Sequence, residues 1–164
     1  MDAIEALKTR RSIRSYEEKA VPRELIEQII DTARLAPSGR NTQPWEFIVI
    51  TDAAARKRIS ELAPHGKFIA QAGACVAVFA REGDFCVEDG SAATENILVA
   101  ARALGLGTCW VASYRKQHSR PVAELLGVPA GLLLITLIAL GYPAQEVEPH
   151  GKRELSEVLH WEKY

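Results

Sequence analysis

A helix reading from Glu88 to Leu104 governs how the rest of this chain can pack. Ala92, Ala93, Ala100, Ala101 and Ala103 fall on several of its sides, and Gly105 follows where a left-handed C-cap is expected. Small residues spread round a helix let neighbouring backbones approach from more than one direction, so this helix is expected at the centre, covered by other elements. Candidates for the cover are three apolar runs, Glu46–Thr51, Ala74–Ala80 and Leu132–Leu140. Their hydrophobic residues do not alternate with polar ones, which suits interior strands buried on both faces. Thr108–Val111 is expected as a further short strand.

The other helices carry their own start and stop signals. Asp2 and Glu5 are spaced as a capping pair for a helix over Asp2–Thr9. Pro22 opens a second, in which Leu25, Ile26, Ile29, Ile30 and Ala33 share one apolar face, and Pro37-Ser38-Gly39 is expected to stop it. Ala53–Leu62 has a solvated face of Arg56, Lys57, Arg58 and Glu61, and Pro121–Leu126 precedes Gly127 as a brief helix. With no repeat or low-complexity tract, 164 residues are expected to form a single α+β domain over 1–164. The tail keeps Leu155, Val158, Leu159, Trp161 and Tyr164, enough apolar surface to pack on something.

Charge narrows the function. The stretch RRSIRSY places Arg10, Arg11 and Arg14 within five positions, with Ser12 and Ser15 between them. Guanidinium groups grip phosphate oxygens bidentately and a serine hydroxyl adds a donor; a solvated basic helix end is the equal alternative. The whole chain carries 20 basic and 21 acidic residues, a net charge of −1. Binding a polyanion draws on many phosphate contacts and a clear basic excess, so one small anion is favoured over nucleic acid. The N-terminus lacks the apolar stretch of a signal peptide, and Leu132–Leu140 is far below the roughly 20 residues of a membrane span. A cytoplasmic protein without membrane attachment is expected. Cys75, Cys86 and Cys109 are odd in number and read as reduced, small hydrophobes. The four histidines are scattered singly and propose no metal site.

Three further segments could hold a ligand. APSGRNTQPW (36–45) packs turn formers and polar amides between a buried helix and a buried strand, and loops of this kind are either connections or ligand supports. GLGTCWVASY (105–114) leaves backbone groups accessible at Val111-Ala112-Ser113; it is not a G-x-G-x-x-G dinucleotide fingerprint, and no strand opens it. Lys152 and Arg153 add cations late in the chain. Asp84, Glu88 and Asp89 beside a helix start read as caps rather than acid–base groups. No P-loop, G-x-S-x-G or Cys–His pairing is present, so an enzyme built on this chain would take its chemistry from a cofactor.

In this order, RRSIRSY, APSGRNTQPWEFIVITD, DGSAATENILVAARALGLGTCWV, GYPA and GKRELSEVLHW resemble the FMN-dependent nitroreductase family over nearly the whole chain. The resemblance implies a central, mostly antiparallel sheet flanked by helices in an intertwined homodimer, with FMN at the subunit interface. It assigns Arg10, Arg11, Ser12 and Arg14, with Lys152 or Arg153, to the phosphate and ribityl end. Pro37, Ser38 and Gly39 of the other subunit would lie against the isoalloxazine ring, supported by Asn41 and Gln43. Backbone groups of Val111, Ala112 and Ser113 would face the flavin edge near N5. The implied activity is hydride transfer from NADH or NADPH, through the flavin, to a nitroaromatic, quinone or enone, with no catalytic side chain. Reductive dehalogenation, flavin fragmentation and non-catalytic FMN storage are the alternatives. Larger members carry extra helices between the second strand and the central helix; this chain has little there.

Overall fold

Residues 74–81 are buried at every position but the last, and the reason is visible in where alternate side chains go. In the computed structural model, which describes residues 1–148 and 150–164, they form a strand (β2, Ala74–Arg81) at the inside of a four-stranded sheet. Ala74, Val76 and Val78 point to one helical layer, while Cys75, Ala77 and Phe79 point to the other. The sheet order is β1 (Trp45–Ile50), β2, β4 (Leu132–Gly141), β3 (Gly107–Ala112), and every neighbouring pair is antiparallel.

One face carries α2 (Arg23–Ala33) and α4 (Cys86–Ala103), with α1 (Ala3–Thr9) against α4. Ile26, Ile29 and Ala33 of α2 and Ile97, Leu98 and Ala101 of α4 meet the sheet through Val76, Val78, Ile138 and Leu140. The helix read as central is so: of its 18 residues only Glu88 is exposed. The opposite face carries α3 (Ala53–Leu62), a 3-10 turn at Lys67–Ala70 and α5 (Ser119–Leu125), packed through Ile59, Ile69 and Val122. Asp2 and Asp52 cap α1 and α3, accepting from the N–H groups of Glu5 and Ala55 at 2.9 and 2.8 Å.

One expectation changes, and the tail's apolar residues find no place in the core of this chain. Glu46–Thr51, read as interior, is the edge strand β1, which pairs with β2 alone. Its apolar centre reports that both faces are covered, since Phe47 packs on the α2–α4 layer and Ile48 on the α3 layer; it says nothing about lateral pairing. The tail contributes nothing to the buried core. Every residue from His150 to Tyr164 is exposed, Trp161 at 77%. A single 3-10 turn at Leu155–Glu157, closed by a Glu154–Glu157 capping box, is its only regular structure.

A bulge in β4 shapes the end of the sheet where the candidate site forms. Val78 pairs with Thr136 and Phe79 with Leu134, so Ile135 is the extra residue. Ile135 and Thr136 consequently both face α4: Thr136 Oγ1 lies 2.9 Å from Thr94 Oγ1, and Ile135 sits on Gly90. A Cβ at Gly90 would lie 2.7 Å from Ile135 Cγ1. Gly90→Ala is therefore expected to destabilise by about 1–2 kcal/mol, overpacking outweighing the gain in helix propensity. Urea unfolding of the two proteins checks this, and an unchanged or raised midpoint would mean that Ile135 can retreat.

Candidate functional site

β3 is the other edge of the sheet, and the RRSIR segment runs along it. Ser12 bridges Thr108 in parallel, and the Ile13 N–H donates to the Thr108 carbonyl at 2.8 Å. Thr108 thus turns its backbone groups away from β4. Alternation along the strand turns Trp110 and Ala112 the same way and leaves Cys109 and Val111 to pair with Ala139 and Leu137. Beyond the strand, the N–H groups of Ser113 and Tyr114 both donate to the bulged Ile135 carbonyl, each at 3.1 Å. The Ser113 carbonyl accepts the Ser119 hydroxyl. Of the three consecutive positions read as accessible backbone, Ala112 is exposed with groups directed outward, whereas Val111 and Ser113 are buried and have theirs engaged.

Ala112 opens on a cavity of about 580 Å³, lined also by Arg14, His65, Trp110, Lys116 and His118. Its charged walls are cationic, its other titratable groups are two imidazoles and the Cys109 thiol, and no carboxylate of a described residue lines it. Among the described residues the Arg14 guanidinium makes one long contact, Nη1 to the Ser12 carbonyl at 3.5 Å. Cys109 is at the cavity wall, where burial pushes its thiol up despite the nearby Arg14 charge. Cys75 is sealed in the sheet, and burial pushes it up to about 12. All three cysteines are free and buried, and at Cys75 and Cys109 the raised titration suppresses thiolate chemistry at neutral pH.

The arginines of RRSIR do not form one cluster. Arg10 and Arg11 border a separate cavity of about 560 Å³ with Thr9, Arg102, Thr108 and Gln145. Arg10 Nε stands 3.6 Å from a Glu95 carboxylate oxygen, with both side chains partly exposed. Arg11 folds back on the end of α1, donating to the Lys8 and Arg10 carbonyls at 3.1 and 2.8 Å; this is the helix-end role. Lys152 and Arg153 lie in the exposed tail and line neither cavity.

Pro37–Gln43 leads into β1, at the opposite edge of the sheet from β3 and three strand spacings away, roughly 14 Å. The loop is held in an unusual conformation: Arg40, Asn41 and Gln43 have φ of 54°, 55° and 46°. Non-glycine residues at positive φ persist only where their surroundings over-determine them. Here the Ser38 hydroxyl accepts the Gln43 N–H at 3.0 Å, Gln43 Nε2 donates to the Asn41 carbonyl at 3.4 Å, and Arg81 Nη2 donates to the Thr42 and Gln43 carbonyls at 3.3 Å. The Gly39 N–H donates to Asp89 Oδ1 at 2.9 Å, and Phe85 covers Gly39 so closely that a Cβ there would lie 2.4 Å from its ring. Asp89, read as a cap, instead ties this loop to the first turn of α4. Asp89, Phe85, Arg81 and His118 carry no local sequence signal for these roles, because each partner is brought in by the fold. No group of His, Cys, Asp and Glu among the described residues could hold a metal, and no described helix is long and apolar enough to cross a membrane.

The nitroreductase family model matches residues 7–81 and 65–142, which contain RRSIR, the 36–45 loop, the central helix and β3. A protein of Archaeoglobus fulgidus named for NADH dehydrogenase/NAD(P)H nitroreductase activity is 41% identical over 152 residues, 88% of this chain and 87% of that one. The zebrafish (Danio rerio) iodotyrosine deiodinase is 43% identical over 148 residues, covering 90% of this chain and 40% of that protein. Among solved structures, an FMN-dependent nitroreductase of Clostridium difficile superposes with a TM-score of 0.92 at 29% identity, covering 98% of this chain and 99% of the other. The sheet, the buried helix and the extended RRSIR edge are thus those of a shared architecture matched from end to end, and the chain belongs to the nitroreductase family.

Proposed function

We propose that the protein is an FMN-dependent oxidoreductase that takes hydride from NADH or NADPH and delivers it to an electron-poor acceptor such as a nitroaromatic, quinone or enone. The observation that carries this reading is the cavity in which Arg14 and the outward backbone of Ala112 meet, whose charged lining among the described residues is basic, with no carboxylate. Such a donor set fits FMN, which is anionic at its phosphate and gains negative charge on its ring when reduced. Bound FMN would supply the two-electron chemistry that no side chain here can. The chain's own groups bind and orient. Arg14 offers a charge-assisted contact, the Ala112 N–H a fixed donor that needs no reorganisation, and Arg10 and Ser12 flank the phosphate end from the same extended segment.

The reading includes a homodimer. Pro37, Ser38 and Gly39 sit at the far edge of the sheet from Arg14, so a second copy would present that loop to the cavity. The exposed tail, with Trp161 and Leu155 at 77% and 70%, has the apolar surface to cross onto such a partner, carrying Lys152 and Arg153 with it. FMN bound at the interface would couple dimer stability to cofactor.

Purified protein is expected to be yellow, near-stoichiometric in FMN and dimeric by sedimentation, with its flavin bleached rapidly by NADH or NADPH in the absence of oxygen. Colourless protein that takes up no FMN on titration would sink the proposal. The likeness to the deiodinase over 90% of the chain supports a second reading, reductive dehalogenation. Loss of halide from a halogenated phenol, with slow flavin reduction by either nicotinamide, would favour it.

A further inference from the structure

His118 precedes α5 and is buried at 7% exposure, yet it belongs to the cavity wall. Its Nε2 lies 3.0 Å from Ser113 Oγ. The single proton of that hydroxyl goes to the Val111 carbonyl, also at 3.0 Å, so the serine oxygen accepts and Nε2 carries the ring N–H. The tautomer is thereby set, and Nδ1 holds a lone pair. Nδ1 has no hydrogen bond to a described residue, and the ring it belongs to lines the cavity. An imidazole locked through one nitrogen, with the other presented as a base, is arranged to take up a proton.

We propose that His118 takes up a proton from solvent when flavin bound in this cavity is reduced, and gives it up on reoxidation. This rests on the FMN reading above. Hydride transfer from the nicotinamide breaks its C4–H bond, leaves NAD(P)⁺ and adds one negative charge to the flavin. Separately, one solvent proton bonds to the Nδ1 lone pair, making an imidazolium that balances that charge. When hydride passes to the acceptor, the proton leaves for solvent or for the acceptor's oxygen, so a quinone gains one hydride and one proton in all.

The charges around His118 set the direction. Arg14, His65 and Lys116 line the same cavity, and no described carboxylate does. Burial first, then His65 and Lys116, pull its titration below the usual histidine range, which favours the neutral ring before the flavin is reduced. A negative charge arriving in the cavity favours the charged imidazole and raises that titration. By linkage, protonating His118 must raise the flavin potential to the same extent. Between the two titrations, reduction draws in one more proton than it otherwise would.

The test is the midpoint potential of the FMN-loaded protein as a function of pH, for wild type and His118→Gln. In the acid-to-neutral window the wild-type slope is expected to be up to twofold steeper, two protons per two electrons against one. Equal slopes in the two proteins overturn the proposal, whereas protein that binds no FMN overturns the cofactor reading as well. Nitrogen-15 NMR of the wild type gives a second measurement that does not depend on the variant folding. The His118 ring, assigned by elimination with His65→Gln, His150→Gln and His160→Gln, should change from neutral tautomer to imidazolium on reduction at neutral pH. A ring that stays neutral in both redox states refutes it.

Discussion

The Arg10→Ala/Arg14→Ala double variant is expected to bind FMN at least about a hundredfold more weakly than the parent, because two charge-assisted contacts worth roughly 1.5–3 kcal/mol each are lost together. The effect should divide unevenly. Arg14 has little intramolecular engagement and faces the cavity with Ala112, so Arg14→Ala is expected to account for most of it. Arg10 is partly engaged by Glu95 at 3.6 Å, and its removal frees that carboxylate near the site. Arg11→Ala should leave FMN affinity nearly unchanged, since its guanidinium serves the Lys8 and Arg10 carbonyls, and should instead weaken the N-terminal helix. Fluorescence titration of the apoproteins with FMN measures all four, with far-ultraviolet circular dichroism confirming that each is folded. Parental affinity in the double variant, or a large loss in Arg11→Ala, would contradict this division.

Phe79→Ala is expected to lower stability by about 3–5 kcal/mol, the range for deleting a fully buried aromatic side chain. Phe79 has no exposed surface and stands beside the β4 bulge, paired with Glu46 on one side and Leu134 on the other. The hole would open under the bulge whose Ile135 carbonyl anchors Ser113 and Tyr114. For a chain of this size the midpoint of thermal unfolding should fall by about 10 °C or more. Val49→Ala on the edge strand, where Val49 is 37% exposed, is the control and should move it far less. Both measurements belong at a fixed FMN concentration, because a ligand that binds the folded protein raises the midpoint by mass action. A small loss at Phe79 would mean that neighbouring side chains collapse into the space.

Much of the fold is legible in the sequence because burial leaves a periodic trace. The Asp52-capped helix over Ala53–Leu62, the Pro22-led helix and the β2 and β4 runs are where their patterns put them. The bulge is not legible. LLLITLIALG is apolar almost throughout, so a one-residue slip leaves no mark on its pattern, and only contact with Gly90 and Thr94 of α4 shows that Ile135 and Thr136 share a face. For the same reason β1 reads as interior: composition registers the faces of a strand and is blind to its edges.

The candidate site divides along similar lines. RRSIR, the 36–45 loop and the 105–114 turn stand out from sequence because their residue types are chemically distinctive wherever they fold. Which of them cooperate is a tertiary matter. Only the bridge between Ser12 and Thr108 brings Arg14 to Ala112, and only strand parity leaves Ala112, rather than Val111 or Ser113, with a free backbone. Asp89 and His118 become part of the arrangement through partners that the sequence alone does not connect to them, Gly39 across fifty residues and a serine held by the bulge. Local sequence determines helices, strand runs and the chemical kinds of residue available, since those follow from short-range sterics and periodic burial. The register of the sheet, the pairing of its edges and the direction of each donor depend on contacts between distant segments, and the tertiary structure alone decided them.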